Sequence, residues 1–553
     1  MRHAAVLIPL MGCTPDPTPK VAPSGADSAA DSASPGDSAD SGTEAELPRR
    51  TCVPFAVTSL QTHPDLMGTI SYEAAHNALP GPGLAVGDFT GDPHLDVILA
   101  RPQAPALLFE GDGTGALVLT DTVLPQGDTV ATGLLNADAT LDIILAGSGE
   151  DVVLLSNPDG TRTAVPLPDA GLHSTTVSVF DADGDADLDL FLPRHRWPAD
   201  MDALLAGEWE GDGHTLLLND GHGGFSVDPR PLGTTATSLG FQGAPVDVDQ
   251  DGDLDVYLNN DFGAWTHPNV LLDNDGTGGF TERWGDGTDV VMYAMGTSVA
   301  DPGGDGWPDL FVSNLGNLVF LESLGDGTFA DSAAVWGLVD VKDEQHIASW
   351  GHRFIDLDGD RHDDLVMGYS AVPIEPTERE GGGLGGVDTE TDFTRIQQDL
   401  ILLRDPTARA FTVAADNGHT TTDFEDAHGT KSVVAADLDN DGRPELLKAG
   451  YSVDFTDLVL RTYRTTGGCG PGVTLRFPLD AHSVGAKVVA QVEDVETTRW
   501  MLPSATFGSS AAEVYVGLGE APTADRVSVT FQGSETIQLD GLVAGTVVDV
   551  RPE

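Results

Sequence analysis

From residue 84 to about 465 the chain alternates short, β-rich apolar runs with acidic loops that carry glycine. In the clearest case Gln242–Val246 and Leu254–Leu258 flank the loop Asp247-Val248-Asp249-Gln250-Asp251-Gly252-Asp253-Leu254-Asp255. Such runs suit a pleated, half-buried surface, so a strand is predicted on each side of the loop. The pattern returns with its first position at Asp88, Leu134, Asp181, Asp247, Asp301, Asp356 and Asp437, at intervals of 46 to 81 residues. Repeats of that length, each holding several short strands, predict a propeller with one four-stranded blade per repeat. The expected fold is all-β: a seven-bladed β-propeller over residues 49–465, followed by a small β-domain over 466–553, where apolar residues alternate. In blade 1, Leu95–Ala100 and Ala106–Phe109 predict two successive strands. Asp-Gly and Gly-Gly pairs in 219–225, 273–280 and 324–329 supply the positive φ of hairpin turns. The aromatic residue after each turn is expected between blades. The apolar run Val53–Leu60 lies outside the first repeat, and its expected partner is the stretch after loop 7, such as Leu458–Tyr463.

The loops carry the candidate chemistry. Carboxylates stand at positions 1, 3, 5 and 9, and alternate residues of a tight loop point inward. Four carboxylates that close repel one another unless a hard cation lies between them, and an all-oxygen set suits Ca²⁺ better than Zn²⁺ or copper. Full sets occur in loop 3 (Asp181, Asp183, Asp185, Asp189), loop 4 (Asp247, Asp249, Asp251, Asp255), loop 6 (Asp356, Asp358, Asp360, Asp364) and loop 7 (Asp437, Asp439, Asp441, Glu445). Loop 1 keeps Asp88, Asp92 and Asp96, with Thr90 at position 3 and Pro93 at position 6. Loop 5 keeps Asp301, Asp305 and Asp309, with Gly303 at position 3. Both are expected to bind more weakly. Loop 2, with Leu134, Asn136, Asp138 and Asp142, is expected to hold little. The total expected is roughly four to six Ca²⁺ ions. The plainer alternative is that the aspartates only stabilise turns.

Asp and Glu number 88 against 27 Lys and Arg, a formal charge of −61. That excess argues against nucleic acid or an anionic membrane as partner. The first twelve residues read as a short export signal ending in Leu10-Met11-Gly12-Cys13, which resembles a bacterial lipobox. Cys13 is the expected lipidation site, and residues 13–48, rich in Pro, Ser, Asp and Ala, the expected tether. Membrane contact is then expected only through the lipid, at the outer membrane or cell surface of a bacterium. Apart from Cys13 the cysteines are Cys52 and Cys469. They flank the two runs expected to pair at the ring seam, so a disulfide is expected there, with free or intermolecular thiols as the alternatives. Two insertions, Pro193–His214 and Val372–Arg395, lengthen blades 3 and 6 and are candidates for recognition.

The repeated loops resemble FG-GAP/VCBS repeats, and Phe241-Gln242-Gly243-Ala244-Pro245 contains the Gly-Ala-Pro of that family. Ser349-Trp350-Gly351-His352-Arg353-Phe354 resembles the cartilage acidic protein 1 branch. Val484–Val488, Val514–Gly519 and Ala524–Phe531 resemble the ASPIC/UnbV domain, although the family's Trp-Pro-Ser-Gly is Phe531-Gln532-Gly533-Ser534 here. The resemblance implies Ca²⁺ in the loops and an adhesion or matrix role. The expected function is a recognition module for an extracellular protein or glycan, not an enzyme. A propeller-based polysaccharide-acting enzyme and an envelope scaffold are the alternatives. No Gly-x-Ser-x-Gly, His-Glu-x-x-His or Walker motif occurs. His195, Arg196, His352, Arg353 and His362 are read as packing or surface residues.

Overall fold

The computed structural model describes residues 49–67, 81–168, 173–196, 201–209, 211–339, 348–370, 398–425, 429–452, 457–533 and 536–552. The export signal, Cys13, the tether and the insertion at Val372–Arg395 lie outside the described residues. Among them, seven antiparallel sheets follow one another along the chain. Blade 4 is typical: Gly240–Val246, Asp255–Asn260, Val270–Asn274 and Phe280–Arg283 pair in sequence order. The innermost strands are Leu84–Gly87, Thr129–Gly133, Ser178–Phe180, Gly240–Val246, Ala294–Ala300, Ser349–Ile355 and Gly429–Ala436. They touch in cyclic order and the last meets the first, so the ring is closed. Their apolar faces pack blade on blade, as Tyr257 and Leu271 of blade 4 do with Leu310 and Val312 of blade 5.

Blade 1 departs from expectation in one respect. The strands expected at 95–100 and 106–109 form one continuous element, Asp96–Gly111. No glycine marks the bend inside it. Gln103 takes the left-handed conformation (φ 54°) instead, and the added pair Gln126–Gly127 bonds alongside at Arg101 and Pro105. The first half pairs with Leu84–Gly87 and the end with Leu117–Leu119.

The last blade is completed from the other end of the propeller. Val53–His63 lies antiparallel to Leu458–Gly468, with Val57 opposite Thr465 and His63 opposite Leu460. Without this strand the blade would expose a long unpaired edge. Cys52 and Cys469 are joined by a disulfide just beyond this pairing, spanning 417 residues of sequence.

The tail folds as two sheets. Val473–Arg476 pairs with Glu513–Val516 and, in parallel, with Thr546–Asp549. Lys487–Val492 pairs with Val495–Trp500 and Thr523–Thr530, which in turn pairs with Thr536–Val543. The tail is not a separate globule. Phe477, Leu479, Val484 and Val516 share one apolar core with Leu135, Leu188 and Leu254 from the loop side of blades 2 to 4. Residues 48–553 accordingly form one compact unit.

From the tail a small hairpin, Ser504–Ala505 with Gly508–Ser509, reaches the innermost strands of the ring. Ser509 bridges Ala85 of blade 1. Fully buried Phe507 packs edge-on to Phe241 of blade 4 and tilted against Trp350 of blade 6, with ring centroids 6.1 and 5.9 Å apart. Glycine makes the approach possible: a Cβ on Gly83 would lie 2.2 Å from the Phe507 carbonyl, and one on Gly296 2.1 Å from Thr506 Oγ1. The hairpin fills the centre of the ring.

Replacing Cys52 and Cys469 by Ser should lower stability by about 2–4 kcal/mol, seen as an earlier denaturation midpoint. Non-reducing peptide mapping should recover the joined 52–469 peptides, and finding both thiols free would contradict the staple.

Candidate metal centres

Two backbone features shape each full loop. Position 6 is left-handed in loops 3 to 7: Ala186 (φ 71°), Gly252 (98°), Gly306 (83°), Arg361 (91°) and Gly442 (76°). Position 4 is left-handed as well, at Gly91, Gly184, Gln250, Gly304, Gly359 and Asn440. Successive reversals turn backbone N–H groups inward, where the carboxylate at position 1 accepts them. Asp181 accepts from Gly184 and Ala186 at 2.8 and 2.9 Å. Asp356 accepts from Asp360 and Arg361 at 3.0 and 2.7 Å, and Asp437 from Asp441 and Gly442 at 3.0 and 2.9 Å. Arg361 and Ala186 hold a conformation that costs a non-glycine residue roughly 1 kcal/mol or more. Loop 1 cannot form it at position 6, because the ring of Pro93 fixes a negative φ.

Position 9 has a different task. In loops 3, 4 and 6 its carboxylate takes one N–H from position 2 and another from the end of the blade's third strand, whereas Asp309 of loop 5 accepts from Ser323, Pro302 at position 2 having no N–H, and Glu445 of loop 7 accepts from Leu438 and the Arg464 guanidinium. Asp189 accepts from Ala182 and Asn219 at 2.9 and 2.8 Å, and Asp255 from Val248 and Asn274 at 3.2 and 2.8 Å. Asp364 accepts from Leu357 and Arg404, each at 3.0 Å. Degenerate loop 2 keeps this clamp, with Asp142 accepting from Leu135 and Ser156.

Ligand oxygens converge in four loops. Asp181, Asp183 and Asp189 approach within 4.8 Å of one another in loop 3, and Asp247, Asp249 and Asp251 in loop 4. Asp356, Asp358 and Asp360 do so in loop 6, and Asp437, Asp439 and Glu445 in loop 7. Asp185, Asp255, Asp364 and Asp441 belong to the same loops but not to these trios. Among the described residues no such cluster gathers Asp88, Asp92 and Asp96, or Asp301, Asp305 and Asp309. In loop 1 the residue at position 3 turns away from any such role: Thr90 Oγ1 donates to Asp96 at 3.1 Å. In loop 5 Gly303 has nothing to offer, and Lys487 of the tail brings an ammonium to the Gly306 carbonyl at 2.9 Å.

The donor set fits a hard cation. Asp183 Oδ1, Asp247 Oδ1 and Asp439 Oδ1 are buried without a hydrogen-bond partner. Buried orphan oxygens on carboxylates are costly, and an ion among them removes the cost. Burial, the largest cause throughout, pushes Asp189 up to about 7 and Asp255, Asp309 and Glu445 up to about 8. Asp247 rises to about 6, after burial because Asp251 and Asp249 repel it. One residue beyond positions 1, 3, 5 and 9 joins the group. Asp253, at position 7, is pushed up to about 7 by burial and by Asp251, and its Oδ1 has no partner. It too occupies an odd position, so the alternation that singled out the others also pointed to it.

Arginines link neighbouring blades beside these loops. Arg230 of blade 3 donates to the Thr277 carbonyl in the turn of blade 4, and Arg283 of blade 4 to Gly327 in the turn of blade 5. Arg464 of blade 7 donates to Thr114 of blade 1 at 3.0 Å and pairs with Asp439. His195, Arg196, His352, Arg353 and His362 are not gathered into one site. His195 meets Asp261 at 3.0 Å and stacks on Phe241, and Arg196 pairs with Asp212. His352, pushed down to about 3 by burial, lies between the Trp350 and Phe311 carbonyls. Burial also lowers His362 to about 4, and half-buried Arg353 donates to the Leu502 carbonyl at 3.2 Å.

Residues 247–312 and 303–367 match the FG-GAP-like repeat. The matched stretch spans loops 4 to 6 and includes two of the four carboxylate trios. No curated protein sequence matches the chain. Solved structures similar to it include BBS1N in complex with ARL6DN (9% identity, 73% of this chain and 96% of that one, TM-score 0.42). They also include a lectin of Agrocybe aegerita described as recognising non-reducing terminal N-acetylglucosamine (15% identity, 66% and 90%, TM-score 0.38). A third is the Tc holotoxin pore of Photorhabdus luminescens (14% identity, 68% and 17%, TM-score 0.29).

The raised carboxylates set the pH behaviour of metal-free protein. A carboxylate whose folded pKa exceeds its unfolded value near 4 binds more protons folded than unfolded. Its stabilising contribution is complete below pH 4 and lost as pH rises through the folded value. In chelator the melting temperature should therefore fall between pH 4 and 8, most steeply between 4 and 6, where every raised group is still protonated in the folded state, and less steeply up to 8. Asp112, Asp159, Asp220, Asp275, Asp326 and Asp405 are lowered by hydrogen bonds and titrate below that window. A melting temperature flat or rising from pH 5 to 8 in chelator would contradict this.

Proposed function

We propose that this protein is a Ca²⁺-stabilised recognition module. One observation carries the metal reading: four loops each bring three carboxylates within 4.8 Å, and in three of the four a buried oxygen has no partner. Loops 3, 4, 6 and 7 hold the tighter ions, loops 1 and 5 weaker ones, and loop 2 little, for a total of roughly four to six. The trio members are the innermost ligands, with Asp253 joining in loop 4. The clamps at position 9 keep each loop shaped for the ion. An ion supplies the positive charge that the clustered carboxylates lack, so its role is structural. FG-GAP-like repeats on a β-propeller scaffold suit a binding role, and the partner proposed is an extracellular protein or glycan. Cys13 is the proposed lipid attachment, placing the protein at a bacterial surface. Cys13→Ser should then release it from the membrane fraction, and a membrane-bound Cys13→Ser protein would refute that placement.

Calorimetry should find several sites with dissociation constants of about 10⁻³ M or tighter, the range that suffices in a Ca²⁺-rich medium. Chelator should lower the melting temperature. Asp251→Ala should remove one site and cost more stability than Asp138→Ala, which should be close to neutral. An unchanged melting temperature in chelator, with no heat of Ca²⁺ binding, would refute the metal reading. A glycan and envelope-extract panel, scored for both binding and cleavage, tests the recognition role.

A further inference from the structure

Loops 6 and 7 differ from loop 3 in what covers them. In loop 7 the tail handles position 1 from two sides. Thr474 Oγ1 donates to Asp437 Oδ2 at 2.8 Å, and the Asp437 N–H donates to Glu513 at 2.9 Å. The turn itself is gripped by backbone: the Gly472 N–H donates to the Gly442 carbonyl at 2.8 Å. The fit leaves no spare room, since a Cβ on Gly442 would lie 2.7 Å from the Gly545 Cα. Loop 6 is held likewise. The Gly519 N–H donates to the Gly359 carbonyl at 2.8 Å, and Arg499 donates to the Arg361 carbonyl at 2.9 Å while pairing with Asp363. A Cβ on Gly517 would lie 1.7 Å from Asp356 Oδ2, so the first carboxylate of loop 6 rests directly on tail backbone. Among the described residues no hydrogen bond or ion pair joins loop 3 (181–189) to the tail.

From these contacts we infer that the ions of loops 6 and 7 control how firmly the tail docks, and through it whether the hairpin at 504–509 stays in the centre of the ring. The inference rests on the metal reading above. The tail grips the carboxylate of Asp437, leans on that of Asp356 and reads the turn of each loop. An ion draws the carboxylates together and fixes that shape. Without it, buried Asp356 and half-buried Asp358 and Asp360 repel one another against the tail, and the relief available is for the loop to open and the cover to lift. Whatever ions do for docking, docking does equally for ions, because the coupling is reciprocal. Thr474 and Glu513 are then positioning residues for loop 7, contributed by a different part of the chain. The hairpin belongs to the same tail, four residues after the strand Val495–Trp500 that carries Arg499. Lifting the cover therefore loosens the hairpin and opens the centre of the ring to solvent or to a ligand, while each inner strand keeps its pairing within its blade, as 240–246 does with 255–260.

The experiment is hydrogen exchange on the full chain, with and without Ca²⁺, reading peptides that cover 502–511 and, as an internal reference, 240–246 of blade 4. Calorimetry on the same samples counts bound ions. Chelation should speed exchange in 502–511 by about 5–150-fold, the usual span of coupling between two sites. Asp437→Asn and Asp360→Asn should each reproduce part of that gain in the presence of Ca²⁺. Asp183→Asn should lose its ion and leave 502–511 protected. Thr474→Val should weaken one ion without unfolding 240–246. If calorimetry shows the ions leaving while 502–511 stays protected, the coupling is wrong and the metal reading stands. Equal loosening by Asp183→Asn would also overturn it, as would general unfolding that exposes 240–246 just as much. No ions in calorimetry would remove the metal reading itself, and the coupling with it.

Discussion

The carboxylate at position 9 of each loop is the interaction on which the blades depend. Buried at the start of the second strand, it accepts a backbone N–H from the loop and another from the end of the third strand in loops 1 to 4 and 6, and one of the two in loops 5 and 7. Hydrogen bonds to an ionised acceptor are the stronger kind. The pair of bonds fixes where the loop ends and where the third strand stops, so register follows from one side chain. Loop 2 shows the division of labour. It has lost its first acidic position, yet Asp142 keeps the clamp and the blade keeps its four strands. Positions 1, 3 and 5 can therefore vary without loss of fold.

The acidic residues divide into two populations. Exposed aspartates at hairpin turns, such as Asp112 and Asp275, accept bonds from a threonine two residues on and are lowered. Buried ones at the loops are raised. Between them lie few basic residues, and three of these, Arg230, Arg283 and Arg464, are placed where one blade meets the turn of the next. These three arginines tie one blade to the next, beside loops whose own side chains are almost all acidic.

Much of this was legible in the sequence because a single residue pattern recurred. The period fixed the propeller, and the full acidic sets of loops 3, 4, 6 and 7 are the four that converge. The run Val53–Leu60 was readable as a strand awaiting a partner because it stood outside every repeat. Other features left no such mark. Left-handed position 4 is occupied by Gly, Gln or Asn, and position 6 by Gly, Ala or Arg, so residue type alone does not reveal the shared backbone. At position 9 one carboxylate can serve twice: Asp189 and Glu445 accept backbone N–H groups and also belong to the converging trios, so residue type alone does not separate clamp from ligand. Nothing local in Leu502–Ser510 announces a central hairpin. Its environment comes from strands hundreds of residues away, including Gly83 and Gly296, whose missing Cβ atoms make its space.

The strand Val53–His63 has a consequence for how the chain is made. It leaves the ribosome ahead of every blade, and its partner Leu458–Gly468 follows about four hundred residues later. Until then the first segment has no place to go, and the ring stays open however well its early blades have formed. The hairpin at 504–509 is synthesised later still. Assembly of the centre is thus deferred to the final stretch of translation, and a chain cut short before residue 458 would leave the last blade without its third strand and Val53–His63 without a partner.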